Sequence, residues 1–271
     1  MLSPKAQEVI NKYFSLPFQG IINVRCPYFN NARRNLHGQL RVLIGKGSPD
    51  EIVEEAIILS KQYHHNIFDN DGFCCVHGAH SNDEKADDIR KFLINNDLGV
   101  DCSGFISHIL IEHYKETKNI NIATRFHFWP IKRLWRYLIA KLRPIENMSV
   151  RVYAKDENTE KIADARSFFN WIWLQPADLI TMIETGPNKK RNHMILIVQN
   201  EESIIKYVHA RAWSSEGKFG HGVSVGQIKI TNPGKNLFEQ TWEENGKINS
   251  DNETFLEADG AKICEVRRIK F

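Results

Sequence analysis

The sequence predicts an α+β fold in which N-terminal helices pack on a C-terminal antiparallel β-sheet, and three observations carry that prediction. Capped helical patterns come first along the chain. Short β-prone runs separated by turns take over from Ser149 onward. With 42% hydrophobic and 10% aromatic residues, 271 residues can bury a sizeable core as one large domain or two small ones. Residues 1–98 read as a helical part and residues 99–271 as a second part carrying an insertion at about 116–170, the two forming one integrated domain.

Pro4 to Phe14 predicts the first helix, with Val9, Ile10, Tyr13 and Phe14 on its apolar side. Cys26-Pro27-Tyr28-Phe29-Asn30-Asn31 then reads as a loop leading to the basic Arg33-Arg34 and the apolar run Leu40 to Ile44. Ser48-Pro49-Asp50-Glu51 is a strong helix start. The Ser48 hydroxyl can cap, proline suits the first helical position, and Glu51 can reach back to complete a capping box. Ile52, Ala56, Leu59 and Tyr63 line one side of that helix. Another helix is predicted from Asp83 to Asn95, with Ile89, Phe92 and Leu93 inward and Gly99 just past its end.

From Trp129 to Pro144, Ile131, Leu134, Trp135, Leu138, Ile139 and Leu142 form one stripe, while Lys132, Arg133, Arg136, Lys141 and Arg143 fall mostly elsewhere. This basic amphipathic helix suits packing on the domain or a lid. It also suits peripheral contact with a membrane or an acidic polymer through residues 129–144. Further on, Val150 to Tyr153, Leu179 to Ile183, His193 to Val198, Ile204 to His209, Val223 to Ile230 and Ile263 to Ile269 read as strands. The run from His193 is almost wholly apolar after its first residue, as in a strand buried on both faces. Phe168 to Leu174 is aromatic-rich and of no assigned type.

Composition narrows the function classes. The start Met1-Leu2-Ser3-Pro4-Lys5-Ala6-Gln7-Glu8 has no apolar run of signal-peptide length, and no later segment reaches membrane-spanning length, so the cytoplasm is the expected compartment. Export without a signal peptide stays compatible with this. Five cysteines suit a reduced environment better than a disulfide framework. A formal charge of +3 is too small to imply a polyanionic partner, which argues against nucleic acid. His64-His65 followed by Cys74, Cys75, His77 and His80 invites a zinc reading, but adjacent cysteines do not match the usual ligand spacing and no second pair appears, so an ordinary loop is expected.

The chemistry concentrates around Gly99-Val100-Asp101-Cys102-Ser103-Gly104-Phe105. Asp101 can act as N-cap, and Phe105, Ile106, Ile109, Leu110 and His113 follow at helical spacing. Cys102 is then expected at a helix start, where free N–H groups and the helix dipole lower a thiol pKa and favour the reactive thiolate. A free cysteine is also commonly a small buried hydrophobe, and it is the histidines further along that favour chemistry. Gln199 to Glu202 is the natural turn between the runs bounded by His193 and His209. A hairpin centred on residue 201 sets these histidines opposite one another, with Cβ atoms about 4.5–5.5 Å apart. Their imidazoles could then hydrogen-bond, one fixing the tautomer of the other. A thiol, a histidine base and a group that orients the base form the usual constellation for covalent acyl transfer. His221, between Gly220 and Gly222, competes as the third member, although glycine surroundings suit an exposed loop.

Asp101-Cys102-Ser103-Gly104-Phe105 at a helix start, Pro176-Ala177-Asp178-Leu179-Ile180, His193 opening an apolar strand, and Val208-His209-Ala210 together resemble the NlpC-type papain-like cysteine peptidases. The resemblance covers roughly residues 99–115 and 174–231. It implies a papain-like fold with Cys102 as nucleophile, His193 as general base and His209 orienting it, and substrate contacts at Asp101 and Ser103. Backbone N–H groups at the helix start would stabilise the oxyanion. Family members often carry a Pro-Tyr pair shortly before the nucleophile; Pro27-Tyr28 matches it at a much greater separation, which makes Tyr28 a further candidate. The implied activity is hydrolysis of an amide in a short peptide, without metal or cofactor, and many members cleave peptides of the bacterial cell wall, peptidoglycan. An amidase or acyltransferase using the same residues, or a non-catalytic binding protein on this fold, are the alternatives. Two departures bear on groove shape: Ile195 stands where the family commonly has glycine, and a long insertion separates Cys102 from His193.

Overall fold

The computed structural model describes residues 1–30, 40–65, 67–69, 71–75, 81–128, 134–201 and 203–271. The chain is α+β, with helices leading and an eight-stranded antiparallel sheet following. It divides into two compact units: Lys5–Ile109 with Ala210–Val223, and Met1–Pro4 with Leu110–His209 and Ser224–Phe271. Cys102 thus groups with the N-terminal residues, because backbone bonds tie Val100 to Pro27 and Phe29 and tie Asp101 to Gly45.

In the first unit, α1 (Pro4–Phe14) buries Ala6, Ile10 and Tyr13. The Tyr13 ring meets Phe105 edge-on at 5.0 Å, and its hydroxyl donates to the Gly47 carbonyl at 2.7 Å. Burial, followed by the nearby Cys26 and acidic side chains, raises this phenol well above its ordinary pKa. The second helix, α2 (Pro49–Gln62), has both halves of its capping box: Glu51 N–H donates to Ser48 Oγ, and Ser48 N–H donates to Glu51 Oε2. Its buried face is Ile52, Ala56 and Ser60, whereas Tyr63, expected inward, is exposed. The third, α3 (Asn82–Asn95), starts one residue earlier than the pattern predicts because Ser81 is the cap, and it buries Ala86, Ile89, Phe92, Leu93 and Ile94. A left-handed Asp97, at φ 59°, then carries the chain toward α4 (Cys102–Lys118). Among the described residues no three His, Cys, Asp or Glu side chains are grouped to hold a metal ion; His77 and His80 lie outside those residues.

The second unit is built on the sheet. Its strands are β1 (Thr159–Asp164), β2 (Leu179–Thr185), β3 (Arg191–Glu201), β4 (Ile204–Arg211), β5 (Gly222–Lys229), β6 (Thr241–Glu244), β7 (Lys247–Ile248) and β8 (Ile263–Ile269). They run in the order β1-β8-β2-β3-β4-β5-β6-β7. Met194, Ile195, Leu196 and Ile197 are all buried, as a strand covered on both faces requires. Trp171, Tyr207 and Trp242 are the largest side chains of the core on this sheet. The β6–β7 hairpin turns on Asn245 and Gly246, both at positive φ (49° and 71°), as a type I′ turn demands.

Three expectations need correction here. Val150–Tyr153 is a turn of helix, not a strand: Val152 and Tyr153 N–H both donate to the Ser149 carbonyl, and one turn buries Val150, Val152 and Tyr153 together. Tertiary burial outweighs the β-propensity of the valines. The β3–β4 hairpin is not centred on residue 201. Glu201 pairs with Ile204, and a bulge at Val198 then shifts the register so that Leu196 faces Val208. Continued, that register sets Ile195 opposite His209, and His193 lies one same-face position further along. The basic helix spans Leu134–Leu142 among the described residues, and four residues of its stripe are not packed inward: Trp135 and Leu142 are 79% and 82% exposed, Leu138 and Ile139 are exposed too, and Ala140 is buried. Residues 129–133, with Lys132 and Arg133, lie outside the described residues.

Candidate active site

Each unit holds part of the predicted constellation. In the first, three short backbone segments set the start of α4. Val100 bridges Tyr28 in parallel and Lys46 antiparallel, with Val100 N–H donating to the Pro27 carbonyl and Phe29 N–H to the Val100 carbonyl. Pro27-Tyr28 therefore lies beside the stretch leading into Cys102 despite its distance in sequence. Tyr28 is half-buried, and its hydroxyl accepts from Asn30 Nδ2 at 3.3 Å.

Asp101 caps α4 as its residue type predicts: one carboxylate oxygen, Oδ1, accepts from Gly104 N–H at 2.6 Å, Ser103 Oγ at 3.0 Å and Lys46 Nζ at 2.9 Å. Lys46 also reaches Ser103 Oγ at 2.5 Å, and all three side chains are buried. Asp101 and Ser103, implied as substrate contacts, are thus members of a buried ion-pair cluster whose cation, Lys46, has no motif to mark it in the sequence. Gly104 lets this helix start approach closely, since a Cβ there would lie 2.5 Å from the Gly45 carbonyl oxygen. Cys102, the first residue of the helix, is buried. Burial raises the thiols of Cys26 and Cys264 above the ordinary range, Cys264 to about 12, against the opposing pull of nearby arginines.

In the second unit, His193 and His209 meet. His193 Nε2 and His209 Nδ1 are 2.8 Å apart, with ring centroids at 5.1 Å and planes at 65°. The register makes this a diagonal pair rather than a directly opposed one, a separation that imidazoles can still bridge. Behind them stands a residue that sequence reasoning missed. Glu244, from β6, lies 3.2 and 3.1 Å from His209 Nε2 through Oε1 and Oε2. Its carboxylate also accepts from Ser224 Oγ at 2.7 Å, Tyr207 Oη at 3.0 Å and Thr254 Oγ1 at 3.0 Å. All six side chains are buried. The signal for Glu244 was in the sequence: Asn245-Gly246 is a hairpin turn, and alternation then puts Glu244 on the same face as the fully buried Trp242.

The small residues of β5 make the relay possible. Gly226 pairs directly with Glu244, and a Cβ on it would fall 2.2 Å from Tyr207 Cζ, so the tyrosine ring passes over this glycine to reach the carboxylate. His221, the rival third member, belongs to the first unit, where its Nε2 lies 2.9 Å from the Trp213 carbonyl. Asp178, in the Pro176–Ile180 motif, is a fully buried turn residue. It accepts from Gln175 N–H at 2.7 Å and from Arg268 Nε and Nη2 at 2.6 and 2.8 Å. No protein-family model, curated protein or solved structure matches this chain.

Two outcomes test this geometry. Lys46→Met leaves the Asp101 carboxylate buried without its cation and is expected to cost about 3 kcal/mol in urea denaturation, whereas a loss under about 1 kcal/mol would mean that the pair holds nothing. Gly226→Ala forces the Tyr207 ring aside and is expected to cost about 2 kcal/mol. An unchanged denaturation midpoint would show that the ring does not depend on the gap.

Proposed function

We propose that this chain is a thiol hydrolase of the papain-like, NlpC type. The Cys102 thiolate attacks the carbonyl carbon of an amide while His193 holds the thiol proton. The C–N bond then breaks, the amine leaves with that proton, and a thioester remains on Cys102. Water, deprotonated by His193, attacks the thioester, releasing the acid and restoring the thiol. His209 keeps His193 in orientation, and N–H groups at the start of α4 stabilise the oxyanion. The observation that carries the reading is the buried, hydrogen-bonded pair His193–His209 in a chain that also opens a capped helix with a cysteine. Lone structural histidines have no need of one another. The substrate class, a short peptide amide of cell-wall type, rests on the resemblance of the motifs around Cys102, His193 and His209.

The test is the pH dependence of Cys102 alkylation by iodoacetamide, followed at that site by mass spectrometry in the wild type and in His193→Ala. The reading expects a thiolate titrating well below the reference of about 8.5, and alkylation at pH 6 about tenfold slower once His193 is gone. Cys26 and Cys264 serve as internal controls, since their raised thiols stay protonated there. A midpoint near 8.5 that ignores His193 would overturn the proposal. Screened peptide and wall-fragment amides then separate hydrolase from binding protein: Cys102→Ala is expected to abolish turnover and retain ligand.

A further inference from the structure

We infer that Glu244 is a positioning residue whose carboxylate sets the direction of both hydrogen bonds in the His193–His209–Glu244 relay and thereby makes Nδ1 the proton-accepting nitrogen of His193. The assignment follows from donor and acceptor capacity alone. An ionised carboxylate only accepts, and here it accepts from three hydroxyls, so its bond to His209 requires a proton on His209 Nε2. A neutral imidazole carries one N–H, so His209 Nδ1 then presents a lone pair. The 2.8 Å bond to His193 must use the His193 Nε2–H, and His193 Nδ1 is left as the basic nitrogen.

The same polarity works through a proton transfer. When His193 Nδ1 takes a proton, which the reading given above derives from the Cys102 thiol, its Nε2–H stays in place and continues to donate to His209. The positive charge faces a relay that ends in a buried negative charge, and no other proton has to move. Were Glu244 protonated instead, it would donate to His209 Nε2 and both ring bonds would reverse. His193 would then hold its proton on Nδ1 and could accept none there.

The role of Glu244 in turnover rests on the proposed hydrolase reading, but the tautomers are measurable without any substrate. Long-range 1H–15N correlation spectra of histidine-labelled protein, with the two rings assigned through His193→Gln and His209→Gln, are expected at pH 7.5 to show both rings protonated at Nε2 and His209 unprotonated at Nδ1, with a proton on His193 Nδ1 only where that ring is doubly protonated. A ring protonated at Nδ1 but not at Nε2, or a doubly protonated His209, would overturn the inference, and since the protein is unmodified at position 244 this result does not depend on a variant that folds. In Glu244→Gln the amide can donate to His209, so His193 is expected to gain an Nδ1–H population; unchanged tautomers would again overturn it. In the amide assay the same variant is expected to lose about 100-fold in kcat with KM within about threefold, and Glu244→Asp to recover part of the loss. Alkylation of Cys102 that ignores His193 would remove the hydrolase reading while leaving the tautomers intact. Reversed tautomers beside an activated Cys102 would remove the role of Glu244 alone.

Discussion

A carboxylate buried inside a sheet is tolerable only if its neighbours replace the water it has lost, and the polar centre of the second unit depends on how Glu244 meets that condition. Two imidazole-facing contacts and three hydroxyl donors converge on its two oxygens. The four donors come from three elements: Tyr207 and His209 from β4, Ser224 from β5, Thr254 from the helix Glu253–Asp259. Satisfying one side chain therefore fixes the relative placement of three strands and a helix. Partly satisfied networks are costly, so the arrangement specifies one packing of these elements rather than a family of them.

The start of α4 follows the same logic with opposite chemistry. Its polar centre is an ion pair, Lys46 with Asp101, in which Asp101 spends its remaining acceptor capacity on the helix N-terminus through Gly104 and on Ser103. Lys46 gains nothing by being there unless the carboxylate stays, and the carboxylate stays because the helix needs a cap. Cys102, the next residue along, thus opens the helix directly beside this ion pair. Burial holds the thiols of Cys26 and Cys264 above their ordinary range although arginines stand near both.

What could be read in advance divides by range. Helix α1, the Ser48 capping box and the α+β class follow from contacts within four residues, or from periodicity, and the structure shows each of them. Strand parity put His193 and His209 on one face, as their hydrogen bond requires, but the register was displaced by two residues. The turn lies further along than residue 201, with Glu201 paired to Ile204, and the bulge at Val198, which has no composition signal in a run of apolar residues, is what returns the two histidines to one face. The bridge of Tyr28 to Val100 and the seating of Lys46 on Asp101 span 72 and 55 positions, and nothing local encodes such a meeting. Val150–Tyr153 failed for another reason: its local preference was legible and was overruled by burial. Glu244 was missed although Asn245-Gly246 announces its hairpin, because a charged residue is not ordinarily placed on a buried face.

The displaced register has a consequence for the relay itself. Directly opposed imidazoles, with Cβ atoms about 5 Å apart, would lie flank to flank. One same-face position further, the gap widens to about 7–8 Å between backbones, enough for one ring to point a nitrogen at the edge of the next. The observed angle of 65° between the planes is that geometry. From His209 the relay must still cross β5 to reach β6, two strand spacings of about 4.8 Å each. A residue of ordinary size on β5 would block it, and Gly226 with Ser224 leaves the passage open while Ser224 contributes a donor of its own. The bulge, the glycine and the serine are each unfavourable or neutral for a strand taken alone. Together they let three titratable side chains on three strands form one directed hydrogen-bonded line, which a regular sheet with directly paired, full-sized residues would not accommodate.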